Sequence, residues 1–380
     1  MVAGCSPGEA GDGNGAGDLE VYVSVPLQGP AGVHGRAIRD GAELALHERL
    51  GDGGPPAKPG AHFLDDTRGA RWSPAVVGED ARRATSDSTA IAYVGDFESG
   101  ATRTSLPITN EARMLQVSPA STALDLVSPF PGSDEVPELV QPSGERSFGR
   151  VIPDDEAQAA AGAAWARKLG APRVATVTDG SEFGDTVAEE FAEEAQGLGI
   201  SVERPRGATE LRAVGSNPHL VYYGGTAEGA LPLLTRAARE APSATLMGTD
   251  ALLLDPTFMR EAGAIEPRLL LTAAAQDPAQ LPPPEGPRFV RRYRREYGGK
   301  PDPYAAYGYE AIALLLDSIE RAGGGADRPA VIDAFLGTTD RRSVLGTYSI
   351  DEVGNTTLDR IAGYRVRDGR PVFDSALRVP

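Results

Sequence analysis

The sequence predicts an α/β fold with two lobes, each built on a doubly wound parallel sheet. Short apolar runs, rich in β-branched and aromatic residues, alternate with amphipathic segments of helical length. The alternation starts near residue 19, breaks at residues 125–147, which are rich in Pro, Gly, Ser and Glu, and resumes after residue 150. A chain of 380 residues with 41% hydrophobic content is long enough to form two domains rather than one.

The pattern predicts two series of strands and helices. In the first series, strands are expected at residues 20–25, 61–67, 91–94 and 114–117, and helices at residues 36–50, 74–86 and 101–112. In the second series, strands are expected at residues 173–178, 201–203, 219–223, 244–247 and 269–272, and helices at residues 155–169, 184–198, 227–240, 288–297 and 304–322. The tail segments 347–351 and 362–366 are expected to form a hairpin.

Two turns rich in small and hydroxyl-bearing residues follow the third and fourth predicted strands. The first holds Glu98, Ser99 and Gly100, and the second spans residues 118–122. Parallel strands joined by one helix end at the same edge of a sheet, so we expect both turns to face one crevice. Backbone N–H groups at helix starts, together with Ser and Thr hydroxyls, suit a carboxylate or another small anion. The alternative is that Ser99 and Thr122 only cap helices.

Composition and charge exclude several kinds of function. The net charge of −17 counts against binding to nucleic acid or to an anionic membrane surface. No window approaches about eighteen uninterrupted apolar residues, which counts against a transmembrane helix. The four histidines lie far apart, so we expect no metal site. The alternating glycines of residues 11–17 precede the first strand and lack the G-x-G-x-x-G spacing, so no dinucleotide cofactor is expected.

The single cysteine, Cys5, follows Val2-Ala3-Gly4 and precedes a run rich in Gly, Asp and Asn that extends to Gly17. This segment resembles a bacterial lipobox. The resemblance implies that Cys5 becomes the lipidated first residue of the mature protein, with a flexible tether behind it. The charged and apolar regions of a signal peptide do not precede the box, which implies a trimmed leader or a start codon assigned too late. The alternative is a free thiol in a disordered leader.

An enzyme built around the same crevice is the main rival, because hydroxyls and a carboxylate can also perform acyl transfer. Ser99 does not stand in a G-x-S-x-G elbow, no histidine falls near either turn, and no H-E-x-x-H, P-loop or Rossmann motif is present. A cleft hydrolase is therefore disfavoured. The residues before 19 carry no helix-turn-helix, which argues against a DNA-binding repressor.

Several short stretches occur in an order and spacing typical of one protein family. They are PLQGP at 26–30, DDT at 65–67, VGDFES at 94–99, SPAST at 118–122, DGSEFG at 179–184, VYYGG at 221–225, MGTD at 247–250, LGTY at 345–348 and DEVG at 351–354. Most of residues 19–375 resembles the type I periplasmic solute-binding proteins of the branched-chain amino acid (Leu/Ile/Val) class. In that family, the protein captures a ligand for an ABC importer.

The resemblance implies a type I periplasmic binding protein fold, in which the chain crosses three times between two lobes and the ligand lies in the cleft. It assigns residues 19–147 and 276–345 to the N-terminal lobe, and residues 148–275 and 346–380 to the C-terminal lobe. The three crossings form the hinge. Residues 1–18 hold the lipobox and a flexible linker.

The resemblance also implies contacts to the head group of an amino acid. Ser99, Ala120 and Thr122 match positions that hold the α-carboxylate and help with the ammonium, and Ser121 lies between them. Asp250 matches an acidic position that pairs with the ammonium, with Asp in place of the more familiar Glu. A helix cap is the other interpretation of Asp250.

The remaining implied contacts surround the ligand side chain. Phe183 and Thr226 match positions often held by Tyr, and His34 and Tyr304 match positions that are often aromatic. Other interpretations are core packing for Phe183 and Tyr304 and a solvated loop position for His34.

The function implied by the resemblance is that of an extracytoplasmic solute-binding lipoprotein of an ABC importer. It would bind a small amino acid or related carboxylate by hinge closure, as a monomer, without cofactor, metal or catalysis. Its expected partners are the permease and ATPase subunits, and the lipid anchor at Cys5 is its expected attachment to the membrane. The alternative is a sensory module of the same fold, which reports the ligand to a partner instead of delivering it to a transporter.

Overall fold

The computed structural model of the chain describes residues 19–49, 59–130, 133–204 and 217–379. Up to residue 150 the elements are β1 (Glu20–Val25), α1 (Gly32–Arg49), β2 (Gly60–Asp65), β3 (Thr67–Arg68), β4 (Arg71–Trp72), α2 (Pro74–Ser86), β5 (Ala90–Val94), α3 (Ser99–Glu111), β6 (Leu115–Ser118) and β7 (Phe148–Arg150). The elements that follow are α4 (Asp155–Lys168), β8 (Arg173–Thr178), α5 (Glu182–Gly197), β9 (Ser201–Glu203), β10 (Leu220–Gly224), α6 (Ala227–Glu240), β11 (Thr245–Gly248), α7 (Asp250–Leu253), α8 (Pro256–Glu261), β12 (Leu269–Ala273), α9 (Glu285–Tyr297), α10 (Pro303–Arg321), α11 (Arg328–Leu336), β13 (Arg341–Ser343), β14 (Gly346–Tyr348), β15 (Arg360–Arg367) and β16 (Arg370–Arg378).

Two large sheets, one in each lobe, organise these elements. The first has the strand order β2-β1-β5-β6-β7 and is parallel throughout. The second has the order β16-β15-β12-β11-β10-β8-β9, in which β8 to β12 are parallel and β15 and β16 are antiparallel. Each sheet extends in both directions from its first strand, as in a doubly wound fold. The predicted α/β class with two doubly wound lobes is confirmed.

The central strands are buried because helices cover both faces of each sheet. All five residues of β5 are buried, and Ile91 and Val94 have no exposed surface. Each such side chain stabilises the fold by about 1.5–3 kcal/mol relative to an exposed one. This burial on both faces explains why the strand reads as an unbroken apolar run instead of an alternating one.

Helices α1 and α10 approach closely because each has a glycine at the contact. A Cβ on Gly41 would lie 1.9 Å from the carbonyl oxygen of Ala305, and a Cβ on Gly308 would lie 2.2 Å from that of Ile38. Any side chain at either position would force the helices apart. The contact holds the start of α1 beside the start of α10.

Short strands lie at two of the predicted lobe boundaries, 147/148 and 345/346. Strand β7 begins at Phe148 and pairs with β6, so it belongs to the first sheet. Strand β13 pairs with β14 across the second boundary, and Tyr348 donates a hydrogen bond to Glu310 of α10 at 2.8 Å. Strands β13 and β14 therefore form a hairpin of their own that contacts α10. Strands of three residues carry too little pattern to be recognised from the sequence.

The tail also pairs differently from the predicted hairpin. Residues 347–351 lie in and after β14, whose partner is β13. Residues 362–366 lie in β15, which is paired with β12 and β16. The two segments therefore belong to different sheets.

Candidate functional site

A cleft with a cavity volume of about 430 Å³ lies between the lobes. On the first lobe it is bordered by the loop after β1, the β3–β4 hairpin and the loop after β5. On the second lobe it is bordered by the starts of α6 and α7 and the loop before α8. This volume is typical of small-molecule sites, which span about 300–1,000 Å³. Of the predicted ligand contacts, His34 and Thr226 line this cavity.

Three rings, here called the aromatic corner, meet at the first-lobe wall of the cleft: His34, Phe97 and Tyr304. The His34 and Phe97 rings are stacked with centroids 5.8 Å apart, and Tyr304 packs edge-on against them at 5.4 and 5.0 Å. Asp302, the N-cap of α10, orients the imidazole through a 3.0 Å contact between Oδ2 and Nδ1. Sequence reasoning identifies His34 and Tyr304 but not Phe97, because one apolar residue after a buried strand carries no distinguishing signal.

The two hydroxyl-rich turns are in direct contact, as the shared edge of their strands predicts. Ser99 is the first residue of α3, and Glu98 occupies the N-cap position. The Ser99 hydroxyl oxygen accepts hydrogen bonds from the backbone N–H groups of Thr122 and Ala123, each at 3.2 Å. Ser99 therefore joins the two turns and is not the cap of its own helix.

The second turn is held mainly by hydrogen bonds of its own. The N–H groups of Ala120 and Ser121 donate to Ser118 Oγ at 3.2 and 2.8 Å. The Ser121 hydroxyl is fully buried and donates to the Asp96 carbonyl oxygen at 3.1 Å. Ser121 thus stabilises the turn from inside, whereas Thr122 is partly exposed at its surface.

Behind this turn lies a buried arginine that sequence reasoning missed. Arg150, the last residue of β7, donates from Nη1 to the carbonyl oxygens of Ser121 and Ala123 at 3.2 and 2.8 Å. Its Nε donates to Asn355 Oδ1 at 2.7 Å. The guanidinium engages the carbonyl groups in the interior and brings a positive charge close to the turn, and both effects favour an anion there. A lone arginine after a three-residue strand belongs to no motif, so only the folded contacts reveal it.

The acidic residue expected to pair with an ammonium begins α7. Asp250 is half-buried; Gln158 Nε2 donates to its Oδ1 at 3.3 Å, and the Ala274 N–H donates to its Oδ2 at 3.4 Å. Burial raises the pKa of the Asp250 carboxyl group. The N-cap position of α7 is held by Thr249 and not by Asp250. A cationic ligand group would offset the cost of ionising this partly buried carboxylate.

A second carboxyl group lies near Asp250. Asp155, the first residue of α4, is 7% exposed, and burial followed by the charge of Asp250 raises its pKa to about 7. The Thr122 side chain hydrogen-bonds to this carboxylate and lowers that pKa in part, and the Asp155 N–H donates to the Thr122 carbonyl oxygen at 3.0 Å. Asp155 therefore connects the acidic side of the cleft to the hydroxyl-rich turn. The sequence identifies it only as a helix start.

Thr226 and Phe183 lie on the second-lobe side in different surroundings. Thr226 is the N-cap of α6, and its N–H and hydroxyl both donate to Asp179 Oδ2, at 2.8 and 3.1 Å. Phe183 is the second residue of α5 and is partly exposed. The protein itself holds the Thr226 hydroxyl at the edge of the cavity, whereas Phe183 is not among the described residues that line the cavity.

Within residues 19–49, 59–130, 133–204 and 217–379, no three His, Cys, Asp or Glu side chains are grouped so that they could hold a metal ion. Among the helices of those same ranges, none combines the length and the apolar character needed to cross a bilayer. Cys5 and the predicted linker lie outside the described residues.

Comparison with known proteins identifies the family. A family model described as periplasmic binding protein matches residues 20–370, which is nearly the whole chain. The Leu/Ile/Val-binding protein homolog 1 of Brucella melitensis is 24% identical over 364 residues, and the match spans 93% of this chain and 91% of that relative.

Solved structures of similar proteins share the fold. The leucine-binding protein LivK of Thermotoga maritima gives a TM-score of 0.74 at 25% identity, over 95% of this chain and 99% of that protein. A solute-binding protein of an ABC transporter from R. palustris, solved in complex with benzoate, gives a TM-score of 0.69 at 19% identity, over 96% of this chain and 97% of that protein. With its two α/β lobes and the cleft between them, the chain belongs to the periplasmic binding protein family, whose members bind solutes and are not enzymes.

Proposed function

We propose that this chain is the solute-binding component of an ABC importer and that it binds a small α-amino acid or a related carboxylate. The observation that carries the proposal is the opposition of charges across the cleft. The Ser99 hydroxyl oxygen accepts from the turn at residues 118–122, so its hydrogen can be donated to a ligand carboxylate, and the charge of Arg150 lies behind that turn. Asp250, on the other lobe, suits an ammonium. The names of the relatives, which refer to leucine, isoleucine and valine, support an amino acid ligand.

The mechanism is closure of the two lobes without covalent chemistry. The solute first contacts one lobe of an open form, and contacts from the second lobe then favour the closed form. An amino acid has both a carboxylate and an ammonium, so it bridges the hydroxyl-rich turn at residues 118–122 on one lobe and Asp250 on the other. That bridge is available only when the lobes are closed, so it supplies the difference in affinity that closure requires.

Calorimetry with a broad panel of amino acids and carboxylates tests the ligand class. We expect a saturable heat of binding for at least one α-amino acid, with no change in the ligand afterwards. A folded protein that binds nothing in the panel would refute the ligand class. Release of a chemically modified product would refute the proposal of simple solute binding and favour an enzyme.

The proposal also includes an extracytoplasmic location and attachment to the membrane through a lipid on Cys5. An importer's binding protein delivers its solute to a permease and ATPase, so a tether keeps it near them. With the native upstream sequence in place, mass spectrometry should find diacylglycerol on Cys5, and Cys5→Ala should release the protein from membranes. An unmodified Cys5 in the membrane-bound native protein would contradict the lipid anchor.

A further inference from the structure

Glu98 is a cleft carboxylate that an amino acid head group does not account for. It lines the cavity at the N-cap position of α3, but its side chain makes no capping hydrogen bond. Within the described part of the chain, its carboxylate has no hydrogen-bond or ion-pair partner. Burial and the charge of Asp250 raise its pKa, and His34 lowers it in part. A carboxylate that lines a cavity without a partner is costly to ionise, so a cation bound beside it would stabilise its charged form.

The other charged groups that line the cavity are mostly acidic. Glu228 and Asp255 border it from the second lobe, and Arg71 borders it from the β3–β4 hairpin of the first. Arg71 is exposed and forms no ion pair with any residue that the structure describes. His34 also faces Glu98, but its Nδ1 is already held by Asp302. The cleft therefore carries an excess of negative charge around Glu98.

Two buried polar atoms beside Asp250 also lack partners. Gln158 Oε1 and Thr249 Oγ1 belong to side chains that are 2% and 3% exposed, and neither atom has a hydrogen-bond partner among the described residues. The Gln158 amide nitrogen donates to Asp250, so its unpartnered oxygen belongs to the same polar group. An ammonium has three N–H donors, so one bound at Asp250 can be shared with these oxygens. A single α-ammonium is thus satisfied here, and Glu98 is left for a second cation.

We propose that Glu98 selects amino acids whose side chain ends in a second positive charge, either an ammonium or a guanidinium. The inference rests on the proposed function, because it takes the head group to lie between the turn at residues 118–122 and Asp250. His34 and Phe97 of the aromatic corner line the cavity together with Glu98, so they offer apolar surface to the methylene groups of such a side chain. Glu98 is then the specificity-determining residue of the cleft.

Calorimetry on the whole folded chain with matched ligands tests the inference. Arginine and citrulline have nearly the same shape, but only arginine carries a charged side chain, and lysine and norleucine form a second pair. We expect the charged member of each pair to bind about ten- to a hundredfold more tightly. Glu98→Gln should reduce this preference to about threefold or less, and the neutral ligands should bind the variant as tightly as the parent or more tightly, because the unpaired carboxylate is gone. Glu98→Asp keeps the charge and should retain part of the preference.

Glu111→Gln is the matched control, because it removes the same charge at the exposed far end of α3 and should keep the parental preference. Citrulline and norleucine binding as tightly as their charged partners would overturn the inference and leave the proposed function intact. Equal weakening of charged and neutral ligands by Glu98→Gln, in a variant with the parental unfolding temperature, would also overturn it. Binding of simple carboxylates without any amino acid would refute both the inference and the amino acid ligand.

Discussion

The two faces of the cleft differ in how far the protein satisfies its own polar groups. On the first-lobe face, Ser99, Ser118 and Arg150 hold the donors and carbonyl groups of the hydroxyl-rich turn, and the Nη2 atom of Arg150 is buried without a hydrogen-bond partner among the described residues. On the second-lobe face, Asp250 accepts two long hydrogen bonds, at 3.3 and 3.4 Å, and Gln158 beside it keeps an unpartnered oxygen. The first face is therefore organised before binding, whereas the second gains most when a ligand arrives. This division lets ligand capture precede lobe closure.

The largest expected effect, on the free energy of unfolding, comes from replacing Arg150 on the first-lobe face. Arg150→Met leaves the carbonyl groups of Ser121 and Ala123 and the Asn355 side chain without their buried partner. We expect the free energy of unfolding to fall by about 3–5 kcal/mol, as measured by urea denaturation. Arg167→Met, on the exposed surface of α4, is the control and should change it by less than about 0.5 kcal/mol. A comparable result for both variants would contradict the role given to Arg150.

The first lobe also contains a buried acid without a partner, Asp66. Both of its carboxyl oxygens lack hydrogen bonds to any described residue, and burial, followed by the charge of Asp96, raises its pKa to about 8. The ordinary value is 3.8, so between about pH 4 and pH 8 the folded chain holds a proton that the unfolded chain has lost. The free energy of unfolding should therefore fall as the pH rises, by roughly 3 kcal/mol from pH 5 to pH 8.

Asp66→Asn isolates this contribution from that of two neighbouring acids. Burial raises the pKa of Asp96 to about 7 and that of Asp80 to about 6, so both act in the same direction as Asp66. Urea denaturation of the parent and the variant at several pH values should give a flatter profile for the variant. Parallel profiles from pH 5 to pH 8 would mean that Asp66 is not the titrating group.

A smaller effect is expected from the second-lobe face. Asp250→Asn keeps the shape of the side chain but removes its charge, and the affinity for an α-amino acid should fall by about 1.5–3 kcal/mol, or ten- to a hundredfold. A des-amino analogue lacks the ammonium, so the variant should bind it as well as the parent or better. Calorimetry with both ligands and both proteins completes a double-mutant cycle. Equal loss for both ligands would make Asp250 a structural residue.

The smallest expected effect comes from Ser99, on the first-lobe face of the cleft. Ser99→Ala removes the acceptor for the N–H groups of Thr122 and Ala123, and should weaken the amino acid and its des-amino analogue alike, by about 1 kcal/mol. The carboxylate is common to both ligands, so the loss should not depend on the ammonium. Thr104→Ala, whose hydroxyl bonds within α3 to Gly100, is the control. A loss confined to the amino acid in calorimetry would place Ser99 at the ammonium instead.

Much of the fold follows from local pattern. The apolar run of β5 and the helical periodicity of α3 are properties of neighbouring residues, so they can be read before the chain is folded. The contact between the turns at residues 98–100 and 118–122 also follows, because parallel strands end at one edge of a sheet. The roles of the predicted ligand contacts, by contrast, come from the resemblance to known binding proteins and not from local pattern.

What the sequence by itself determined is therefore the class of the fold, the order of its elements and the edge at which the cleft lies. Only the tertiary structure decided which side chains meet there. Arg150, at the end of a three-residue strand, donates to the turn that follows β6. The charge of Asp250 raises the pKa of Glu98, although the two residues are more than a hundred positions apart along the chain. Periodicity describes neighbours along the chain, whereas burial and electrostatic coupling depend on distances that exist only after the two lobes have packed.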